Sequence, residues 1–332
     1  MRVKSRSILI ILLLDLTILF SGCAPLGIAF LYKKANLPDT QVVRNITYSH
    51  GPDSNPALNR LDLFLPKGKN WPTMVFVHGG GWNTGDKDLT VAGADVYGNI
   101  GRYFAAQGIG TAIISYRLMP GVDWKTQVMD VAKATTWVYD HIHDYQGDSN
   151  SIFLAGHSAG AQLASRVALD PSILQSLGVS PKILCGVIPI SGVGYNFMNH
   201  ETYEYGKEQG AIQALFNREE LSKILRKKLS PIFFAKQASP PFLILYAAKD
   251  KKVIKNDSQR LDQALKEVGA QRQLYSVPKV NHKSMILALS HADQFPANLM
   301  MVFMRTCECG RSTTKLFNSA PKPPEKMGRS PI

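Results

Sequence analysis

Five consecutive residues, Gly156-His157-Ser158-Ala159-Gly160, carry the strongest chemical signal in the chain. Glycines two positions either side of a serine leave room for a sharp turn that presents the serine Oγ. Such a hydroxyl becomes a nucleophile when a neighbouring base takes its proton. If a helix begins at Ala159, its backbone N–H lies where a developing oxyanion can be stabilised. A second signal is His78-Gly79-Gly80-Gly81-Trp82, with N–H groups that no side chain shields. Gly79, Gly80 and Gly81 are all candidates for the other oxyanion donors, and their spacing does not choose among them. Together the two segments describe attack of Ser158 on a carbonyl carbon.

That reaction needs an acid and a histidine further along the chain, in the order Ser, Asp/Glu, His. Five aspartates follow Ser158. Asp170 precedes Pro171 at a helix end, and Asp257, Asp262 and Asp293 fall in helical patterns. Asp250 alone closely follows an apolar strand, in LYAAKD, where loops at strand C-termini form the active face of an α/β sheet. Of three later histidines, His200 precedes the acid and His291 is placed on a helix. His282, in the loop PKVNHKS, is the expected base. Asp250 would fix its tautomer, and His282 would carry the proton from Ser158 to the leaving group. His78 and His157 are read as residues that orient loops. This chemistry requires no metal and no organic cofactor, and no CxxC pair suggests a zinc site.

The elements that must position these groups alternate along the chain. Strand-like runs occupy 41–48, 61–65, 73–77, 110–115, 151–155, 184–190, 242–247 and 272–277, several of them continuously apolar as strands buried on both faces are. Helical patterns occupy 96–107, 125–142, 159–169, 257–268 and 284–304. In 125–142, Val128, Val131, Ala132, Thr135, Val138, Tyr139 and Ile142 share one helical face. This alternation implies an α/β class with a mostly parallel eight-stranded sheet flanked by helices. Segment 194–240 breaks the rhythm with Tyr195, Phe197, Met198, Tyr203 and Tyr205, then a charged stretch, and is expected to be a small lid.

HGGGWNTGDK at 78–87, SYRLMPGVDWKTQVMDVAKATTWVYDHI at 115–142 and IFLAGHSAGAQLASRVALDP at 152–171 resemble the α/β-hydrolase superfamily. The similarity is greatest to the esterase branch that includes lipase-like carboxylesterases, feruloyl-esterase-like proteins and kynurenine formamidases, and it covers roughly 58–304. Carried over by position, it implies Ser158, Asp250 and His282 as the triad, and Gly79, Gly80 and Ala159 as oxyanion donors. Gly121 stands where the lipase-like branch has an acidic residue, and the lid is shorter than that branch's cap. The resemblance implies a carboxylesterase acting on a small-molecule ester of small or medium acyl group. An amidase such as a formamidase, or a sugar-ester deacetylase, would use the same triad. A non-catalytic binding protein on this fold would lack a triad member, and none is missing.

The chain has 332 residues and a formal charge of +13, which raises the question of a polyanionic partner. No stretch interleaves cations with aromatics as a single-strand nucleic-acid surface does, so no nucleic acid is expected. Residues 1–22 contribute +2 and residues 305–332 contribute +4, leaving about +7 on the body. Residues 8–20 are apolar apart from Asp15 and Thr17, too short a run for an ordinary span of about 30 Å of hydrocarbon but suited to a signal peptide. With Phe20-Ser21-Gly22-Cys23 after it, the segment resembles a bacterial lipoprotein signal, which implies lipidation of Cys23. The expected organisation is a signal peptide at 1–22, a tether at 23–39, a hydrolase domain at 40–304 and a disordered basic tail at 305–332. The body would then be exported and held at a membrane by a lipid or signal anchor. Cys185 is expected to be a small core residue, and Cys307 and Cys309 are too close for an unstrained mutual disulfide.

Overall fold

The computed structural model describes residues 32–91, 93–208, 210, 212, 221–291 and 294–306. The expected signal segment, Cys23 and the basic tail from 307 onward lie outside the described residues. Eight strands form one sheet: β1 (Val42–Thr47), β2 (Arg60–Phe64), β3 (Trp71–Val77), β6 (Gly110–Ile114), β7 (Gly147–His157), β8 (Leu184–Ile190), β9 (Phe242–Ala247) and β10 (Arg272–Val277). A short hairpin of β4 (Thr90–Val91) and β5 (Ala94–Asp95) stands apart from it. The sheet order is β1-β2-β6-β3-β7-β8-β9-β10. β2 pairs antiparallel with β1 and β6, and the strands from β6 to β10 are parallel.

The continuously apolar strands feed two cores, because successive side chains point to opposite faces. Val75 and Val77 join the core under α2 (Trp124–His141), α3 (Ala159–Leu169), the short α4 (Pro171–Gln175) and α7 (Lys252–Glu267). Met74 and Phe76 join the other, under α1 (Val96–Ala106), α8 (His282–Ala288) and α9 (Phe295–Thr306). Leu154 and Phe153 divide in the same way on β7, as do Ile244 and Leu245 on β9. Each such side chain contributes about 1.5–3 kcal/mol of burial, upper estimates because the unfolded chain already hides some surface. Asp95 and Asp123 cap α1 and α2 by accepting from the N–H groups of Gly98 and Thr126, and Asn281 and Ser284 form a reciprocal capping box on α8. Layers of this kind, with helices on both faces of a largely parallel sheet, make the α/β-hydrolase fold.

Several expectations change. The helical pattern at 284–304 is two helices, and His291 lies between them rather than on one. Apolar residues on either side of the break gave one pattern because both helices pack on the same core. α7 begins at Lys252, five residues before the expected start, and β7 begins at Gly147. His282 is the first residue of α8 rather than a loop residue. Residues 32–39 are not a free tether. Ala35 donates to Asn99 Oδ1, Asn99 Nδ2 to the Lys33 carbonyl and Arg102 Nη1 to the Leu37 carbonyl, so this segment is part of the body on α1. Cys185 is buried in β8 but disulfide-bonded, not a reduced core thiol. The chain's other cysteines lie outside the described residues.

Between β8 and β9 the chain leaves the sheet through a loop, α5 (His200–Glu208), α6 (Lys223–Leu229) and a 3-10 turn at Pro231–Phe234. No helix among the described residues is long and apolar enough to cross a membrane.

Candidate active site

The groups singled out in the sequence come from the C-terminal ends of β3, β7, β9 and β10, on one edge of the sheet. Ser158 sits between β7 and α3 with φ 55° and ψ −119°, a conformation that L residues rarely adopt. The flanking glycines permit it. A Cβ on Gly156 would collide with the backbone of Gly160, and one on Gly160 with the carbonyls of Val77 and His78. The turn is thus wedged between β3 and its own helix. Ser158 occupies the N-cap position of α3 without capping it, and its hydroxyl faces His282 instead.

His282 Nε2 lies 3.0 Å from Ser158 Oγ, and His282 Nδ1 lies 3.0 Å from Asp250 Oδ1. The Asp250 side chain is fully buried, whereas that of His282 is 33% exposed. A buried carboxylate needs its remaining acceptor positions filled. Asp250 Oδ2 accepts from Ser191 Oγ at 2.7 Å and from the Ala247 N–H at 2.8 Å, which turns Oδ1 toward the imidazole. Ser191, at φ 46° just after β8, was not singled out in the sequence. Its position at the end of a buried strand was the signal available.

The His78 loop winds through positive φ at Gly80, Gly81 and Trp82. The Gly80 carbonyl accepts from the Thr84 N–H and hydroxyl, and a Cβ on Gly80 would run into Thr84. Gly79 does not fit the donor role that the resemblance implied. Its N–H is committed to Tyr97 Oη at 3.1 Å, and its Cα is packed where a Cβ would stand 3.0 Å from His157 Nδ1. Gly80 and Gly81, together with Ala159 at the first turn of α3, border the open cavity in front of Ser158. Tyr97 is on α1, so no local pattern in the glycine loop announces its hydroxyl.

The two histidines inside the motifs stay neutral. Burial pushes His78 down to about 4, and its Nδ1–H donates to the Gly79 carbonyl at 2.7 Å while the ring stacks on Tyr116 at 4.3 Å. Burial, then the neighbouring His282, lowers His157 well below the ordinary imidazole range. His157 Nε2–H donates to the His282 carbonyl at 3.2 Å, so this histidine holds the base's backbone rather than moving a proton.

The cavity above Ser158 has a volume of about 300 Å³. Its floor is Gly80, Gly81, Ser158 and Ala159, and its far wall is Phe197, Thr202, Tyr205 and Gly206 from the segment between β8 and β9. Asp257, read in the sequence only as a helical acid, secures that wall. Fully buried, it accepts from the N–H groups of Gly194 and Tyr195 at 2.8 Å each and from Thr202 Oγ1 at 3.0 Å. Burial raises its carboxyl above the usual range despite those bonds. A signal was present: Asp257 falls on the buried stripe of α7 with Val253, Ile254, Leu261 and Leu265. No cluster of His, Cys, Asp and Glu among the described residues could hold a metal ion.

A family model described as BD-FAE matches residues 61–265. Isoprenylcysteine alpha-carbonyl methylesterase of Arabidopsis thaliana is 28% identical over 262 residues, 74% of this chain and 58% of that protein. Esterase LipQ of Mycobacterium tuberculosis is 29% identical over 233 residues, 68% of this chain and 54% of that one. The chain therefore spans between half and three fifths of the length of these two relatives. In structure, a truncated carbohydrate esterase from gut microbiota superposes with a TM-score of 0.65 at 21% identity, covering 82% of this chain and 98% of that chain.

Proposed function

This chain belongs to the BD-FAE family, and from that premise we propose that it is a serine carboxylic-ester hydrolase. One observation carries the reading: a hydroxyl, an imidazole and a buried carboxylate in series, with 3.0 Å at each step, at the floor of a cavity. His282 Nε2 takes the Ser158 proton as Oγ attacks the ester carbonyl carbon. Asp250 accepts from Nδ1–H, holding the tautomer and stabilising the imidazolium. The carbonyl oxygen gains its charge among the N–H groups of Gly80, Gly81 and Ala159, where preorganised dipoles act in a site partly closed to water. As the tetrahedral species collapses, His282 returns the proton to the departing alcohol. Water, deprotonated by the same imidazole, then releases the acid and restores Ser158.

The substrate is a small or medium acyl ester. A space of about 300 Å³ lies at the lower limit of small-molecule pockets, and Trp82 and Phe197 close its apolar side. The names of the relatives, methylesterase and esterase, support ester chemistry over amide hydrolysis. Labelling by a fluorophosphonate probe tests the reading: wild type should be labelled and Ser158→Ala should not. Labelling that persists in the variant would sink it.

We also propose that the protein is exported and tethered to a membrane through its N-terminal segment. The signal-like pattern at 1–23 supports this, as does the disulfide at Cys185, since disulfides persist in oxidising compartments. Mass spectrometry of the mature N-terminus decides it: a lipidated Cys23 is expected, and an unmodified Met1 would overturn the proposal.

A further inference from the structure

Three large apolar side chains stand exposed among the described residues: Met198 (39%), Ile224 (71%) and Phe233 (42%). All three lie between β8 and β9. Acidic residues of this segment lie before residue 221, and its later part is basic: residues 221–240 hold Lys223, Arg226, Lys227, Lys228 and Lys236 and no acidic residue. Arg226 is turned inward, its guanidinium 3.2 Å from the Tyr203 ring centre and its Nε–H donating to the Leu221 carbonyl. Lys223, Lys227, Lys228 and Lys236 are exposed. Lys227 Nζ lies 5.4 Å from the Phe233 ring centre, so α6 and the turn after it present a continuous face. On α6, Ile224 is followed three and four residues later by Lys227 and Lys228, the spacing of helical neighbours.

We propose that this face docks on a lipid leaflet rich in anionic headgroups. Exposed aliphatic and aromatic side chains among lysines suit a lipid interface, where the apolar groups enter the acyl boundary and the lysine stems keep their charges at the headgroups. Each lysine near such a surface adds attraction of its own. Protein interfaces are poor in lysine, and an aliphatic side chain as exposed as Ile224 offers nothing for a nucleic-acid base to stack on. The position of the face gives the contact a consequence. α6 is fastened to α5 through Tyr203, whose hydroxyl accepts from the Leu221 N–H at 2.8 Å, and α5 supplies Thr202, Tyr205 and Gly206 to the cavity wall. Docking α6 therefore seats one wall of the cavity against the lipid. This surface is separate from the proposed N-terminal tether and stands whether or not the ester chemistry does.

The test uses the full chain and a local readout, so that binding through the N-terminal segment does not mask the lid. Amide hydrogen exchange of residues 221–235 is followed by mass spectrometry with phosphatidylcholine vesicles, with or without phosphatidylglycerol. Exchange should slow about tenfold on the anionic vesicles alone and recover in high salt. The slowing should vanish in Lys223→Gln/Lys227→Gln/Lys228→Gln and weaken in Ile224→Ser/Phe233→Ser. Both variants should keep wild-type turnover of p-nitrophenyl acetate without vesicles; if the first misfolds, the second decides. Equal exchange on both vesicle types, or unchanged slowing in the variants, overturns the proposal. Slowing by a DNA oligonucleotide but not by vesicles overturns it in favour of a polyanion.

Discussion

The two sides of the same cavity are built by different physics. The floor consists of short loops at strand ends, and its positioning groups are paired: Asp250 with Ser191 and Ala247, His282 with Asp250 and Ser158, Gly79 with Tyr97. Its backbone passes through positive φ at Gly80, Gly81, Trp82 and Ser158, and a Cβ on Gly80, Gly156 or Gly160 would collide with neighbouring chain. The wall between β8 and β9 is fastened from outside by side chains of the helices beneath it, Asp257 and Arg260 on α7 and Gln162 on α3 among them, and carries the exposed apolar side chains. A floor needs atoms held to a few tenths of an ångström for proton transfer, whereas a wall need only fill space and exclude water.

Breaking the floor should therefore cost most. Ser158→Ala should lower kcat for p-nitrophenyl acetate by about 10⁶-fold, because members of such a relay act as a unit. Asp250→Asn should lower it by about 10⁴-fold with the fold intact, since the amide can favour the wrong imidazole tautomer. Stopped assays with circular dichroism controls check both, and a loss under tenfold at either position would remove that residue from the relay.

A pH experiment probes the support beneath the floor. His78 is held to about 4 in the folded protein by burial, against 6.5 for the free side chain. The unfolded state therefore takes the proton first, so stability is full above pH 6.5 and declines as pH falls toward 4. The loss should reach about 3 kcal/mol across that window, with His157 adding in the same direction. Urea denaturation of wild type and His78→Asn at pH 7 and 4.5 measures it, and the variant should lose part of the slope. An identical slope in the two proteins would contradict the neutral, buried state of His78.

The smallest effect belongs to the wall. Phe197→Ala should raise kcat/KM for hexanoate relative to acetate esters by about tenfold, since an added methylene in an apolar pocket is worth about 1–3 kcal/mol. The kcat for acetate should stay within threefold or so of wild type, as expected if the wall sorts substrates without entering the proton relay. A kcat collapse like that of Ser158→Ala would erase the distinction between the two regions.

Much of the sheet was legible because its strands are short, apolar and bounded by turn residues, a pattern set by neighbours in sequence. The elbow around Ser158 was legible for the same reason, since Gly156 and Gly160 serve contacts that lie within a few residues or on the adjoining strand. The break at His291 was not, because apolar residues continue through both helices and both serve one core. Asp257 was passed over because an acid in a helix is ordinarily solvated, and only its partners from another segment show that it is buried.

By itself the sequence determined the alternation of strands and helices, the turn that exposes Ser158, and the order in which an acid and a histidine could follow it. These depend on backbone geometry and burial, which act over a few residues. Tertiary structure decided that the Gly79 N–H is occupied, because Tyr97 arrives from α1 to accept from it. It decided which oxygen of Asp250 meets the imidazole, because Ser191 from another strand takes the second. It also gathered lysines and bare apolar side chains of α6 and its following turn into one face beside the cavity. Hydrogen bonds and surfaces made between distant segments have no signature in either segment alone; they exist only where folding brings the two within about 3 Å.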